Sequence, residues 1–165
     1  MRTTTRVSAG LAMLLSLVAS AARAQSANIT ATATVFQAMT VTGARTLDFG
    51  SVFPGVAKAI AVAAATSGRF DLTGQNSANV NVSFTLPANL TSGANNLPIG
   101  TWTGCTNTSN TTTGCTAFTP SAANTASAFG ATGSLFVWVG ATVTPAANQA
   151  AGTYNGTVTL TAAYF

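Results

Sequence analysis

The chain has 165 residues, of which 47% are hydrophobic and only 5% are charged, and its formal net charge is +4. It contains six Lys and Arg residues, two aspartates, no glutamate and no histidine. The basic residues do not form the cluster that neutralises phosphates, so we expect no nucleic-acid partner, and the commonest general base and zinc ligand is missing.

The first residues read as a secretory signal peptide. Arg2 and Arg6 precede an apolar run, Leu11 to Val18, and a small-residue cleavage site follows at Ala22-Arg23-Ala24. The run is shorter than the roughly 20 apolar residues of a membrane-spanning helix. We therefore predict a signal peptide over residues 1–24 and one domain over residues 25–165. The predicted mature chain has no membrane span and is exported through the periplasm to the cell surface or the extracellular space.

Cleavage at this point also changes the charge of the protein. Three of the six basic residues would leave with the signal peptide, so that three basic residues remain against two aspartates, a net charge of +1. The polar positions are mainly Thr, Ser and Asn, and Thr favours the half-buried surface of a sheet. This composition predicts an all-β, exported protein.

The first mature segment, Asn28 to Thr42, alternates apolar residues with Thr, which is the pattern of a strand. The residues of the apolar parity are Ile29, Ala31, Ala33, Val35, Met39 and Val41. Since fifteen residues exceed the usual strand length of about five or six, we expect one long strand or two short ones joined near Gln37. Either the segment is an edge strand that bends at Phe36 to Ala38, or Ile29 to Val35 projects from the domain as a donor strand for a neighbouring molecule.

Several shorter strand signals follow in the first half of the chain. Arg45 to Pro54 supplies the core anchors Leu47 and Phe49, with Val52 as a third candidate, and Pro54-Gly55 is a turn signal. Further strands are predicted at Lys58 to Ala65, weakly, at Arg69 to Leu72, and at Asn79 to Leu86, which Pro87 ends.

The second half begins with a segment of low complexity, Ala88 to Asn124, which predicts a long surface excursion with one or two irregular strands. Leu135 to Val143 is apolar on both parities and predicts a buried strand. Gly152 to Phe165 alternates clearly, with Tyr154, Val158, Leu160, Ala162 and Tyr164 on the parity expected to face a core. Six to nine short strands without a helix predict a β-sandwich.

The residues that could carry chemistry are few. Asp48 and Asp71 could form a carboxylate pair, but capping a turn or lying on the surface is the commoner role of such residues. A serine nucleophile would have only Lys58 as its base, and no serine is placed beside it by the sequence. We therefore expect neither an enzyme nor a site for a metal or a cofactor.

Cys105 and Cys115 are an even pair in an exported chain and predict a structural disulfide. Two interpretations stay open for each of three aromatic residues. Phe136 and Trp138 either pack between layers or form an exposed contact patch, and Trp102 is either a lid over one end of the core or a platform for a ligand.

Two segments, ATATVFQAMTVTGARTLDFGSVFPG (Ala31 to Gly55) and VGATVTPAANQAAGTYNGTVTLTAAY (Val139 to Tyr164), resemble a family of bacterial exported domains of unknown function. Its marks are an LDFG-type strand near the start and a GTYxGTxTxTxxY strand at the end. The family is similar to the spore coat protein U and archaic chaperone-usher pilin sandwiches. The resemblance implies an incomplete immunoglobulin-like fold, in which Gly152 to Tyr164 borders a groove that lacks its final strand. It also implies that an N-terminal extension of the next subunit fills the groove, after a periplasmic chaperone has held it.

Two functions follow as expectations. The first is a structural subunit of a surface fibre, pilus or coat, with like subunits and a periplasmic chaperone and usher as partners. Its donor strand would present Ile29, Ala31, Ala33 and Val35, and its acceptor edge would be formed by Tyr154, Val158, Leu160, Ala162 and Tyr164. The alternative is a self-complete secreted sandwich that binds a ligand or a surface through its loops.

Overall fold

The computed structural model describes residues 25–165, and the predicted signal peptide, residues 1–24, lies outside this range. The chain divides into two compact units, Met1–Thr34 and Val35–Phe165. Residues 25–34, the described part of the first unit, are exposed and contain no strand or helix. All ten strands lie in the second unit.

The ten strands confirm the predicted all-β class, and residues 25–165 contain no helix. Their number is one above the predicted range of six to nine. In chain order they are β1 (Thr40–Arg45), β2 (Lys58–Ile60), β3 (Gly68–Thr73), β4 (Asn79–Thr85), β5 (Asn89–Ser92), β6 (Asn95–Asn107), β7 (Thr116–Phe118), β8 (Thr125–Ala128), β9 (Ser134–Val143) and β10 (Thr159–Tyr164).

The strands form two antiparallel sheets that pack as a β-sandwich. The larger sheet has seven strands in the order β1-β3-β9-β6-β5, with β2 pairing with β9 and β7 pairing with β6. The smaller sheet has three strands in the order β10-β4-β8. The smaller sheet therefore has β10 and β8 as its edges, and β1 is one edge of the larger sheet.

The main core lies between the two sheets. Each buried side chain in it contributes about 1.5–3 kcal/mol relative to exposure. Val80, Val82 and Phe84 alternate with more exposed residues along β4, as the sequence predicted. The buried members of this core are Leu72, Val80, Val82, Phe84, Phe129, Leu135, Val137, Val139 and Leu160.

A second, smaller cluster of buried side chains lies at the start of β6 and the end of β9. Its buried members are Phe49, Leu97, Ile99, Ala141 and Val143. Leu47 and Val52 pack against it, so the predicted anchors of the segment after β1 are confirmed. That segment is not a strand, however, because Asp48 turns it by accepting the N–H of Gly50 at 2.7 Å. Trp102 packs against both clusters and joins them.

The excursion predicted between Ala88 and Asn124 contains the longest strand of the molecule. β6 has 13 residues and pairs with β9, β5 and β7. Its register with β9 shifts between Gly100 and Thr103, and Thr101 has a positive φ of 47°. This bulge reverses which side chains point inward, so the alternation that identifies a strand is lost there. β6 is therefore irregular, as predicted, but the prediction of a surface strand was wrong because β6 lies between β9 and β5 in the larger sheet.

Candidate functional site

The outer edge of β10 carries backbone groups without a partner among residues 25–165. β4 is the only strand of the described chain that pairs with β10, with Leu160 opposite Phe84 and Ala162 opposite Val82. The N–H of Phe84 donates to the carbonyl of Ser121 at 2.8 Å, and Ala78, of the same parity, accepts the N–H of Phe129 at 3.0 Å. Hydrogen-bonding direction alternates along an antiparallel strand, so Phe84 and the β4 residues of its parity point their backbone N–H and C=O groups away from β10.

The β10 residues that lie opposite this parity of β4 must therefore point their own backbone groups away from β4. Leu160, Ala162 and Tyr164 turn their N–H and C=O groups toward the free edge, while Thr159, Thr161 and Ala163 bond to β4. The side chains of Leu160, Ala162 and Tyr164 are also the ones that face the core, because they are buried or half-buried between exposed neighbours. A strand added at this edge would bond to the backbone groups of Leu160, Ala162 and Tyr164. The side chains of the same three residues mark the face of the sheet that is turned toward the core.

A groove of about 900 Å³ lies next to this edge, on the side where β10 begins. One wall is the segment that follows β1, and the other is the segment that leads into β10. The large apolar side chains that line it are Leu47, Phe49, Val52, Phe70, Leu90, Leu97, Val139, Tyr154 and Val158. Since several of these also belong to the two core clusters, the groove is a gap in the cover of the core and not a surface depression alone.

The predicted acceptor residues are distributed over a strand and an irregular segment. Leu160, Ala162 and Tyr164 lie in β10, whereas Tyr154 and Val158 precede it and line the groove. The prediction of a continuous strand from Gly152 was therefore wrong for residues 152–158. The physical reason is that β4 ends at Thr85, just before Leu86-Pro87, and offers no partner for residues before Thr159.

Residues 152–158 are held by β5 and by side chains instead. Asn155 exchanges two backbone hydrogen bonds with Thr91, at 2.8 and 2.9 Å. The hydroxyl of Tyr154 donates to the carbonyl of Ala150 and accepts from Nε2 of Gln149, both at 2.7 Å. These contacts keep one wall of the groove in place without placing a strand across it.

The candidate donor residues lie in a segment that forms no strand. The strand predicted from Asn28 to Thr42 begins only at Thr40, where β1 pairs with β3. Ile29 and Val35 are 95% and 91% exposed, and Ala31 and Ala33 are exposed as well. The alternation of this segment is therefore not used for pairing within residues 25–165.

Tyr164 binds the chain just before β1 and forms what we call the clasp, made of Phe36, Gln37, Gln75 and Tyr164. The ring of Phe36 stacks on that of Tyr164 with 5.0 Å between centroids. The Tyr164 hydroxyl donates to the carbonyl of Gln37 at 2.9 Å and accepts the backbone N–H of Gln75 at 2.7 Å. Gln37 N–H also reaches Oε1 of Gln75 at 3.4 Å. Within the second unit, the clasp therefore holds Phe36 and Gln37 beside the last residue of β10.

The charged residues of the described chain are engaged in local contacts. Asp48 caps the turn at Gly50, and Arg69 forms an ion pair with Asp71 at 2.7 Å. The two aspartates therefore have different partners, as the turn and surface reading predicted. Lys58 donates to the carbonyl of Ser51, and Arg45 donates to the carbonyl and hydroxyl of the buried Ser67, both at 2.6 Å.

The aromatic residues singled out in the sequence pack within the fold. Trp138 is buried on the outer face of β9, opposite Arg69 on one side and Cys105 on the other, and Phe136 is half-buried beside it. Cys105 and Cys115 form the predicted disulfide. The hairpin between them reaches over the sheet, where Asn110 accepts a hydrogen bond from Arg69 at 2.9 Å.

Residues 25–165 lack two further features. No group of three or more His, Cys, Asp or Glu side chains is placed there to hold a metal ion. That part of the chain also has no helix of the length and hydropathy needed to cross a bilayer.

Residues 25–165 thus form an all-β sandwich in which the edge strand β10 has no strand partner on its outer side within that range, and a groove lies beside it. The model of one protein family, described as a domain of unknown function (DUF4402), matches residues 32–164. The chain belongs to this family. No curated protein and no solved structure matches the chain significantly.

Proposed function

We propose that the protein is a structural subunit of an extracellular fibre, pilus or surface coat, and that its copies are joined by donor-strand complementation. The observation that carries the proposal is the free edge of β10, whose Leu160, Ala162 and Tyr164 offer both backbone groups and inward side chains. Strand addition at such an edge takes its affinity from main-chain hydrogen bonds and its register from alternate side chains.

The segment Ile29 to Val35 has the complementary pattern. Its residues of one parity, Ile29, Ala31, Ala33 and Val35, are apolar, and those of the other parity are Thr. The segment is exposed and forms no strand, so no pairing within the described chain would have to be broken before it is donated. We propose like subunits and a periplasmic chaperone and usher as partners, and an exported protein that reaches the cell surface or the extracellular space.

Deletion of Ser26 to Thr34 tests the proposal directly. The deletion removes the donor segment except for Val35 and leaves β1 and every residue of the main core, so a folded monomer is expected. We expect electron microscopy and sedimentation to show polymer for the full chain and none for the deletion variant. Undiminished polymer from the deletion variant would rule out this mechanism.

Two double variants within the segment test whether assembly depends on its apolar parity and not only on the segment being present. Ala31→Asp with Ala33→Asp places charges on the parity expected to enter the groove, where burying an unpaired charge is costly. Thr30→Asp with Thr32→Asp adds the same charges on the opposite parity. We expect the first variant to lose assembly and the second to retain it, whereas equal behaviour of the two would contradict strand insertion.

A second function is supported by the size of the groove. Its volume of about 900 Å³ falls within the range of roughly 300–1,000 Å³ of small-molecule sites. A self-complete sandwich would use this groove for a ligand, and Trp102 and Trp138, which pack within the fold, would not be its contacts. Expression without a chaperone separates the two functions: a heat-stable monomer that resists assembly favours ligand binding, and polymer or aggregate favours the subunit.

A further inference from the structure

One dipeptide in the wall of the groove is open to a reaction that the rest of the chain resists. Asn155-Gly156 is the only Asn-Gly pair in the sequence, and both residues line the groove. Glycine has no side chain to shield its backbone nitrogen, so this nitrogen can approach the side-chain amide of the preceding asparagine. Of the other eleven asparagines, six precede a β-branched residue, whose side chain crowds that approach. Asn155 is therefore the asparagine most open to attack by the next backbone nitrogen.

The two groups that would react are exposed and are not held by hydrogen bonds within residues 25–165. Asn155 and Gly156 are both exposed, and Asn155 bonds to Thr91 only through its backbone. Neither the side-chain amide of Asn155 nor the backbone N–H of Gly156 has a partner in that range. No hydrogen bond therefore has to be broken at either group before they meet.

The reaction consumes only water. The backbone nitrogen of Gly156 gives up its proton and bonds to Cγ of Asn155, while the bond from Cγ to the side-chain nitrogen breaks and that nitrogen leaves as ammonia. The product is a five-membered succinimide ring. Water then opens the ring at one of its two carbonyl carbons. Opening at Cγ gives aspartate, whereas opening at the main-chain carbonyl carbon gives isoaspartate, which has one extra carbon in the main chain.

The bridge between Asn155 and Thr91 opposes ring closure. Asn155 donates its backbone N–H to Thr91 at 2.9 Å and accepts the N–H of Thr91 at 2.8 Å. Ring closure rotates the Cα–C bond of Asn155 and swings its carbonyl away from Thr91, so the bridge must open first. Pairing of β10 with β4 begins only at Thr159, so this opening can stay local and leave both sheets intact.

We propose that Asn155 is a site of spontaneous deamidation and that local opening of its bridge to Thr91 sets the rate. The inference does not depend on the proposed function. Isoaspartate lengthens the main chain between the N–H of residue 155 and the next carbonyl, so both hydrogen bonds to Thr91 can no longer form together. The reaction also adds a negative charge to the groove, where Asp48 is the one carboxylate among the described lining residues. Each molecule thus undergoes a slow, one-way change that loosens this wall of the groove.

Mass spectrometry of proteolytic peptides from the aged full chain tests the site and its control by the bridge. Asn110, which is exposed but precedes Thr111, is the internal comparison, and we expect Asn155 to be converted first. Thr91→Pro removes the N–H that bonds to Asn155, whereas Thr91→Ala keeps it. We expect Thr91→Pro to speed conversion about fivefold, the effect of losing one ordinary hydrogen bond, and Thr91→Ala to leave the rate unchanged. Slower conversion at Asn155 than at Asn110, or equal rates in the two Thr91 variants, would overturn the proposal.

A further variant separates local opening from global unfolding and does not require Thr91→Pro to fold. Leu135→Ala truncates a side chain of the main core that does not line the groove, so it destabilises the whole domain without touching the bridge. If local opening sets the rate, folded Leu135→Ala converts Asn155 as fast as the wild type does. A rate that rises in proportion to the loss of global stability would mean that Asn155 reacts only in the unfolded chain, and would overturn the control by the bridge.

Amide hydrogen exchange at Thr91 tests the structural consequence. The isoaspartate form is separated from the aged protein by chromatography, and Asn155→Asp is the matched control because it has the new charge on an unchanged main chain. We expect the Thr91 amide to exchange rapidly in the isoaspartate form and to stay protected in Asn155→Asp. Protection that persists in the isoaspartate form would overturn the predicted loosening of the groove wall.

Discussion

Leu160 lies directly opposite Phe84 in the ladder between β10 and β4, yet the backbone N–H of Phe84 donates to Ser121 on the other side. The backbone of Leu160 is therefore turned outward while its side chain is buried in the main core. The same residue thus closes the core of its own molecule and leaves its backbone N–H and C=O groups without a partner among residues 25–165.

The two faces of β10 should respond differently to truncation. Leu160→Ala removes a buried side chain, and we expect it to lower the free energy of unfolding by about 2–5 kcal/mol. Thr161→Ala, one residue further along on the exposed face, should change it by less than about 0.5 kcal/mol. Urea denaturation of the two variants measures the difference, and equal effects would contradict the assignment of faces.

Gly74 leaves the space that Tyr164 occupies in the clasp. A methyl group on Gly74 would meet the Tyr164 hydroxyl and would come within 2.8 Å of the Phe129 ring. We expect Gly74→Ala to destabilise the domain by about 1–3 kcal/mol in denaturant unfolding. Gly43→Ala is the control, because nothing lies within 4 Å of the position of its Cβ. A Gly74→Ala variant as stable as Gly43→Ala would show that Tyr164 is not fixed there.

The two halves of the clasp can be separated by substitution. Tyr164→Phe keeps the ring that stacks on Phe36 but removes the hydroxyl that bonds both Gln37 and Gln75. Leaving the part-buried N–H of Gln75 without its acceptor should cost about 1–3 kcal/mol. We expect NMR relaxation to show greater mobility of Gln37 in Tyr164→Phe, and Phe36→Ala, which keeps both hydrogen bonds, should loosen Gln37 less. The opposite order would contradict the role of the hydroxyl.

The disulfide should contribute stability without contributing to assembly. Cys105 and Cys115 are separated by 10 residues, and closing a loop of this size contributes on the order of 2.5–3 kcal/mol in the chain-entropy model. We expect the Cys105→Ala, Cys115→Ala double variant to lose this amount in urea unfolding and still to form polymer below its unfolding midpoint. Loss of polymer from a fully folded double variant would show that the hairpin takes part in the contact between copies.

Much of the fold was predictable where alternation is regular. The pattern of Val80, Val82 and Phe84 predicted β4, and the apolar run from Leu135 predicted the buried strand β9 but left open whether Trp138 is covered. The alternation from Leu160 to Tyr164 likewise predicted β10 and its inward face. In these strands, burial on one face gives alternating apolar residues, and burial on both faces gives a continuous apolar run.

The remaining features depend on partners that are distant in sequence. Residues 152–158 alternate as well as β10 does, but β4 ends before it could pair with them, and Asn155 pairs with Thr91 instead. The length of β6 and its place inside the large sheet were not predicted, because its bulge near Thr101 interrupts the alternation. The clasp joins Gln37 and Tyr164 across 127 residues, and no local pattern signals such a contact.

The most direct test of the central claim is amide hydrogen exchange of the full chain with and without an excess of a peptide of residues 25–36. The account predicts that Leu160, Ala162 and Tyr164 exchange rapidly in the free chain and become protected when the peptide binds. Thr159, Thr161 and Ala163 already bond to β4 and should change little. Unchanged exchange at Leu160, Ala162 and Tyr164 with saturating peptide would contradict the claim that this edge receives the donor strand.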